Sequence, residues 1–342
     1  MTTGDRKGEA FAMRLFIRWG DLGANASPIP MDTDDHMMPP LPLLENESLA
    51  RHTSWRVGGP ARYYGEVTRP ADMQVLLAWA TEACLPTLVL GGGTNVLVRA
   101  AGFPGLVLRY RAMGWQISER ANGCGLLRAE AGAPMAGTAR RVAAMGWAGL
   151  TWAEGLPGTI GGAVFGNAGC YGGDMAGLLE RATLLVDGQV EEWPVERMGY
   201  GYRTSILKNG RRGTVDGNEE LQPTVHPPIV LAAELRLSPG EPTELAAQMA
   251  AIAAERKGKT PWGSSCGSVF KNPSGYSAGR LIDEAGLKGT RRGGAEISPR
   301  HGNYIVNVEG ATSDDILALI ELARTRVQQQ FGVELELEVQ VV

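Results

Sequence analysis

The sharpest pattern lies at the C-terminal end of the chain. Ile316, Ile320, Ala323 and Val327 recur at steps of four, three and four, which draws one apolar stripe on a helix. Ser313 can cap its start, and Asp314 and Asp315 fall in the first turn, where the helix dipole favours acids. Gly332 stands where a helix stop belongs. Residues 333–342 then alternate strictly. Val333, Leu335, Leu337, Val339 and Val341 face one side, and Glu334, Glu336, Glu338 and Gln340 face the other, as in a half-buried strand.

Earlier segments read less regularly. Residues 70–85 predict a helix opened by Pro70, with Met73, Leu76, Leu77 and Ala80 on one face, and Pro86 stops it. TLVLGGGTNVLV at 87–98 reads as strand, glycine turn, strand. Residues 106–109 and 126–130 are short strand candidates, and 133–146 predict a helix ending near Gly146. Residues 155–173 carry too much glycine for a regular element. Asp187-Gly188 between apolar runs signals a hairpin. Residues 225–238 read as a strand closing a domain, and 242–259 as a connecting helix with a basic tail. The sum is an α+β chain without internal repeats.

Composition narrows the classes. A chain of 342 residues suggests two or three domains. With 33 basic and 37 acidic residues the net charge is -4, so a dominant nucleic-acid surface is not expected. No apolar run is long enough to span a membrane. Arg14 and Arg18 interrupt the apolar patch near the N-terminus, and residues 21–40 are polar and proline-rich, so 1–40 is expected to be a flexible leader. Cys84, Cys124, Cys170 and Cys266 are far apart, and the histidines lack ligand spacing, so neither disulfides nor a metal site is expected. Reduced thiols fit a cytoplasmic protein.

The 47 glycines are the outlier. In GGGTN, Gly91, Gly92 and Gly93 let backbone N–H groups converge on an anion, with Thr94 and Asn95 adding donors. No Lys-Ser or Lys-Thr follows, so it is not a Walker loop, and it opens a strand rather than the helix of a Rossmann fingerprint. Its bland reading is a hairpin turn. A second cluster, LPGTIGGAVFGNAG at 156–169, suits a long ligand with a pyrophosphate and a flat ring, against the alternative of packed tight turns. In YGYRTSILK at 200–208, Tyr202, Arg203, Ser205 and Lys208 are donors, and the arginine could grip a carboxylate or phosphate. GSSCGSVFKNP at 263–273 holds Ser264, Ser265, Cys266 and Ser268, then Lys271 and Asn272. It contains no GxSxG elbow, so a hydrolytic triad is not expected. A serine there could give a proton to a developing carbanion, with Cys266 as a competing nucleophile.

Taken together, HTSWRVGGPARYY, LGGGTNVLV, GLPGTIGGAVFGNAGCYGGDM, GYRTSILK, GSSCGSVFKNPSGYSAGRLIDEAGLKGTRRGGAEIS, HGNYIVN and ELELEVQ resemble, in order, the UDP-N-acetylenolpyruvoylglucosamine reductases of bacterial peptidoglycan synthesis, in their compact subtype. Residues 1–40 match nothing in that pattern. The resemblance implies a two-part FAD-binding domain of the FAD-linked oxidase type over 41–239, divided at about 105/106. A C-terminal α/β substrate-binding domain over 240–342 would follow, its final strand a candidate to return to the first part.

The same resemblance implies noncovalent FAD and NADPH as co-substrate in a ping-pong cycle. Hydride would pass from the flavin to C3 of the enolpyruvyl group, and a serine would protonate C2 to give UDP-N-acetylmuramate. Arg203, Ser268 and Glu338 match the catalytic positions, with Glu336 the competitor for the last. Gly91, Gly92, Gly93, Thr94, Asn95, Gly158, Thr159, Gly162, Ala163, Asn167 and Gly169 match the FAD loops, and Tyr202, Lys271 and Asn272 match positions near the substrate. A cytoplasmic monomer serving cell-wall synthesis, and through it cell shape and division, is implied, with no nucleic-acid, membrane or metal partner. Gln340 stands where many relatives have arginine, and Gly166 before Asn167 is expected to loosen that turn. Two alternatives remain open at this point: another FAD-linked oxidase, and a non-catalytic flavin or nucleotide-sugar binding module.

Overall fold

The computed structural model describes residues 38–209 and 227–342. The leader expected over 1–40 therefore lies outside them up to residue 37, and residues 209–224, whose letters NGRRGTVDGNEELQPT read as an exposed insertion, lie outside them from residue 210.

The first sheet forms from β1 (Leu44–Ser48), β2 (Pro60–Val67), β3 (Thr87–Leu90) and β5 (Phe103–Tyr110), with β4 (Val96–Leu97) leaving it. Its order is β1-β2-β5-β3, and β5 pairs in parallel with both β2 and β3. β5 is apolar nearly throughout because both of its faces are covered. Leu106 and Leu108 join the main core with Tyr63 and Met73, while Phe103 and Val107 join a smaller one with Leu90 and Tyr64. The helix α1 (Pro70–Glu82) starts with proline in its first turn, as expected, and buries Met73, Leu76, Leu77 and Ala80. The strands flanking GGGTN do not form a hairpin. β3 stays in the first sheet, whereas β4 pairs with residues Gln340–Val341.

A second sheet takes β6 (Trp115–Glu119), β7 (Gly125–Glu130), β11 (Leu179–Val186), β12 (Gln189–Pro194) and β13 (Ile229–Pro239) in the order β12-β11-β13-β7-β6. β8 (Trp147–Ala148) pairs with the end of β13, and β9 (Gly169–Cys170) with β10 (Gly173–Asp174). The Asp187-Gly188 turn joins β11 to β12 with both residues at positive φ, 47° and 77°. That is the twist a two-residue hairpin prefers. The helix α2 (Met135–Ala144) packs against α4 (Pro242–Lys259), the expected connecting helix, which ends in Arg256, Lys257 and Lys259.

One expectation fails here. Inside the glycine run, Ile160–Gly166 forms a helix, α3, capped by the Thr159 side chain, which accepts from Gly162 N–H. The cost of helical glycine, about 1 kcal/mol per residue, is offset by burial of Ile160, Ala163 and Val164. A side chain at Gly161 would also meet Ala131 at 2.7 Å, so close packing demands the glycine.

The C-terminal part holds α5 (Ala278–Glu284), β14 (Arg291–Arg292), β15 (Ala295–Ile297), β16 (Ile305–Asn307), α6 (Ser313–Phe331) and β17 (Gln340–Val341). The stripe Ile316, Ile320, Ala323 and Val327 is buried against Ile297 and Ile305, and Gly332 ends α6 at φ 68°. The cap of α6 is Thr312, not Ser313. Thr312 and Asp315 form a reciprocal capping box, and Ser313 is buried as the first helical residue. The expected terminal strand is only partly a strand. Leu335 and Val339 are buried and Glu334 and Glu336 exposed, but regular pairing is confined to β17. The segment changes partner midway: Leu337 bridges Phe270, then β17 runs parallel to β4.

Candidate active site

The two glycine clusters meet backbone to backbone. A Cβ on Gly91 would lie 2.8 Å from Thr159 Oγ1, and one on Gly92 2.9 Å from Gly158 Cα. Gly158 has φ +106°, and a Cβ there would stand 2.8 Å from Thr94 Oγ1. Gly93, at φ +63°, leaves room for the His52 carbonyl, which a Cβ would approach to 1.9 Å. The two loops thus pack directly on each other, with the hydroxyls of Thr94 and Thr159 at their contact. Gly162 and Ala163 follow within α3.

The YGYRTSILK segment is bolted to the end of α3. Tyr200 donates to Val164 O at 2.8 Å, Ser205 Oγ to Phe165 O at 2.6 Å, and Asn167 Nδ2 to Gly201 O at 3.0 Å. The first two satisfy carbonyls at the helix end, and the third holds the turn. Asn167 caps α3 in the left-handed region and also accepts from Ala176 N–H at 2.9 Å. Its turn, which follows Gly166, is therefore tied on both sides. Arg203 sits in the Gly201–Thr204 turn at φ +56°, and its Nη2 donates to Gly169 O at 2.5 Å.

The serine-rich run approaches from the other side. Lys271 N–H donates to Glu336 O and Glu338 N–H to Val269 O, both at 2.9 Å, so SVFK runs antiparallel to the terminal segment. Asn95 Nδ2 donates to Glu338 O, and Gln340 N–H to Asn95 O, both at 3.0 Å. GGGTN, the residues beside Ser268, and Glu338 are thereby brought to one place. Arg203 Nε lies 3.0 Å from Glu338 Oε1, near enough for a charge pair though not aligned as a hydrogen bond. Glu336 instead is exposed and pairs with Lys271. Of the two terminal carboxylates, only Glu338 reaches Arg203. Tyr202 is exposed, with its hydroxyl 3.5 Å from Asn272 N, and Asn272 Oδ1 accepts from Ala278 N–H at 3.0 Å.

Burial raises the Glu338 carboxyl above the ordinary range, against the pull of Arg203, Lys208 and Lys271. Burial also lowers Lys208, helped by Lys271 and Arg203. Cys266 is buried behind GGGTN, and burial pushes its thiol up to about 12, so it is protonated near neutrality. That removes it as a nucleophile.

Some contributing residues escaped the sequence reading. Asn303 clasps Phe270 from both sides, accepting from its N–H at 2.9 Å and donating to its carbonyl at 2.8 Å. Trp55 crosses into the C-terminal core, donating to Ile305 O at 2.7 Å. Lys208 was visible as a donor, but its place under Arg203 was not. Nothing local marks Asn303 and Trp55, because each acts through a contact distant in sequence.

The glycine loops carry backbone amides and the hydroxyls of Thr94 and Thr159, the donor set that the pyrophosphate of a dinucleotide accepts from. Among the described residues, no cluster of His, Cys, Asp or Glu could hold a metal, and no helix is long and apolar enough to cross a membrane. Residues 61–187 match the family model of the FAD binding domain. The fold and the site define an FAD-containing oxidoreductase whose FAD-linked oxidase-type domain is joined to a C-terminal domain of another kind.

That second part, residues 259–342, matches the C-terminal domain of UDP-N-acetylenolpyruvoylglucosamine reductase. The enzyme of that name from Chloroflexus aggregans is 59% identical over 89% of this chain and 98% of its own length. The one from Rubrobacter xylanophilus is 43% identical over 87% and 94%. The crystal structure of the Thermus caldophilus reductase superposes with a TM-score of 0.69 at 36% identity, covering 88% of this chain and 98% of that one. The chain belongs to the UDP-N-acetylenolpyruvoylglucosamine reductase family.

Proposed function

We propose that the protein reduces UDP-N-acetylglucosamine enolpyruvate to UDP-N-acetylmuramate with electrons from NADPH, in the cytoplasm, as a step of peptidoglycan precursor synthesis. Residues 41–239 bind FAD in two parts and 240–342 bind the nucleotide sugar, a division supported by the separate family matches at 61–187 and 259–342. Bound FAD supplies hydride transfer between the nicotinamide and the enolpyruvyl carbon.

The chain's own residues do the rest. Gly91 to Asn95, Gly158, Thr159, Gly162, Ala163, Asn167 and Gly169 hold the cofactor. Arg203 binds the substrate carboxylate and stabilises the negative charge that develops there once C3 has received hydride. Ser268 then gives its proton to C2, which completes addition across the double bond. Glu338, whose carboxyl burial raises above the ordinary range, assists that delivery. Lys271, Asn272 and Tyr202 orient the nucleotide sugar, and Lys271 exchanges Glu336 for the substrate's anionic groups. The observation that carries this reading is the Arg203–Glu338 pair at 3.0 Å, with the Glu338 backbone bonded to Val269, the residue after Ser268.

Anaerobic mixing tests it. NADPH should bleach the flavin band, and the enolpyruvyl substrate should restore it. Recovery with oxygen and not with substrate would mean an oxidase, and no bleaching a binding module. Ser268→Ala should keep the first phase and stall the second; a fast second phase would remove the serine from its role.

A further inference from the structure

Arg203 is held in an unusual way for a residue asked to place a guanidinium accurately. Its backbone is left-handed, at φ +56°, in a tight turn closed by reciprocal bonds between Gly201 and Thr204 at 3.2 and 3.3 Å. That conformation costs a non-glycine residue about 1 kcal/mol or more, so it persists only where neighbours over-determine it. On one side Asn167 fixes Gly201 O, and on the other Lys208 Nζ donates to Arg203 O at 2.6 Å. Lys208 is half-buried in a short helical turn, Ile206–Asn209, directly after the Arg203 turn. Its methylene end also passes Gly166: a Cβ there would lie 3.9 Å from Lys208 Cε. The ammonium is therefore threaded between the end of α3 and the arginine's own carbonyl.

We propose that Lys208 is a positioning residue for the reduction step: by clamping the Arg203 carbonyl it fixes the left-handed turn that aims the guanidinium at Glu338, and its charge adds to the anion-attracting field in which the substrate carboxylate is held. The proposal rests on the role assigned to Arg203. Its chemistry explains the residue type. A lysine ammonium is compact and carries donors that can reach a carbonyl end-on, whereas a planar guanidinium needs a broader acceptor. The groups that face this ammonium are Arg203, Lys271, Glu336 and Glu338. Those that face the Glu338 carboxyl are Arg203, Lys208 and Lys271. Removing Lys208 therefore removes one cation from the field at Glu338 while leaving Arg203 in the chain but unclamped.

The test uses FAD-loaded protein and stopped-flow measurement of each half-reaction, with Lys208→Met, Arg203→Ala and the double variant. Lys208→Met should leave flavin reduction by NADPH unchanged and slow reoxidation by the enolpyruvyl substrate roughly 10- to 100-fold, the penalty of a misplaced group. In the Arg203→Ala background it should cost less than about twofold more, because residues that act through one another are not additive. The basic limb of the reoxidation pH profile should move to higher pH, since a cation beside Glu338 is gone. Wild-type reoxidation in Lys208→Met would overturn the proposal. So would equal slowing of both phases with loss of FAD, which means a folding role, or an additive penalty in the double variant, which means action independent of Arg203. If Arg203→Ala alone reoxidises fast, the reading of the site fails; if it is slow while Lys208→Met is fast, only the role of Lys208 fails.

Discussion

Asn303 is the residue whose loss the structure makes easiest to price. It is 4% exposed, and its amide satisfies both backbone groups of Phe270, itself 2% exposed. Asn303→Ala leaves a buried N–H and a buried carbonyl unpaired, at about 1–3 kcal/mol each, so a loss of about 2–6 kcal/mol is expected. The backbone bond from Val269 N–H to Asn303 O at 2.9 Å remains, which keeps the segment attached but no longer in fixed register. Because Phe270 lies two residues beyond Ser268 and bridges Leu337, the same change should displace Ser268 relative to Glu338. Urea titration at fixed, saturating FAD would measure the first effect, with the cofactor concentration held constant because binding shifts apparent stability. Stopped-flow reoxidation by the enolpyruvyl substrate would measure the second, with reduction by NADPH as the internal control. Asn303→Asp keeps an acceptor but loses the donor and buries a charge, so it should fare no better. A stability loss below about 0.5 kcal/mol, the range of an ordinary surface change, would refute the reasoning.

Gly93→Ala should lose FAD and fold poorly, since the new Cβ would meet the His52 carbonyl at 1.9 Å on a backbone at φ +63°; retained flavin absorbance would contradict it. Cys266→Ala should keep turnover within about twofold, as expected for a thiol that never ionises near neutrality, and a large loss of rate would return the thiol to the mechanism. The Glu338 carboxyl is raised in the fold, so its contribution to stability is present below the ordinary glutamate pKa and lost as pH rises through the raised one. Unfolding titrations across that window should slope downward with pH in the wild type and flatten in Glu338→Gln; equal slopes would argue against the burial of that carboxyl.

Much of the fold is legible in short-range pattern. The stripe of α6, the turn at Asp187-Gly188 and the proline starts of α1 and α4 all appear where periodicity and turn chemistry put them. Each depends on neighbours within a few residues, so the local sequence suffices. The errors share the opposite cause. α3 forms in a glycine run because tertiary burial and capping outweigh poor propensity. The strands around GGGTN separate because β4 finds its partner at the far end of the chain.

The candidate site divides the same way. Residue types and motif order alone point to Arg203, Ser268, a terminal glutamate and the two glycine loops as candidates, because chemistry and family resemblance reside in the letters. They leave Glu336 and Glu338 equivalent, as both lie on the polar side of one alternating segment. Only the tertiary structure separates them: the chain crosses from Phe270 to β4 at that point, so Glu338 turns inward to Arg203 while Glu336 stays at the surface with Lys271. The physical reason is range. Periodicity reports which face of an element is buried, whereas the pairing of charges depends on contacts between segments far apart in sequence, 65 residues for Lys271 and Glu336, which no local pattern encodes.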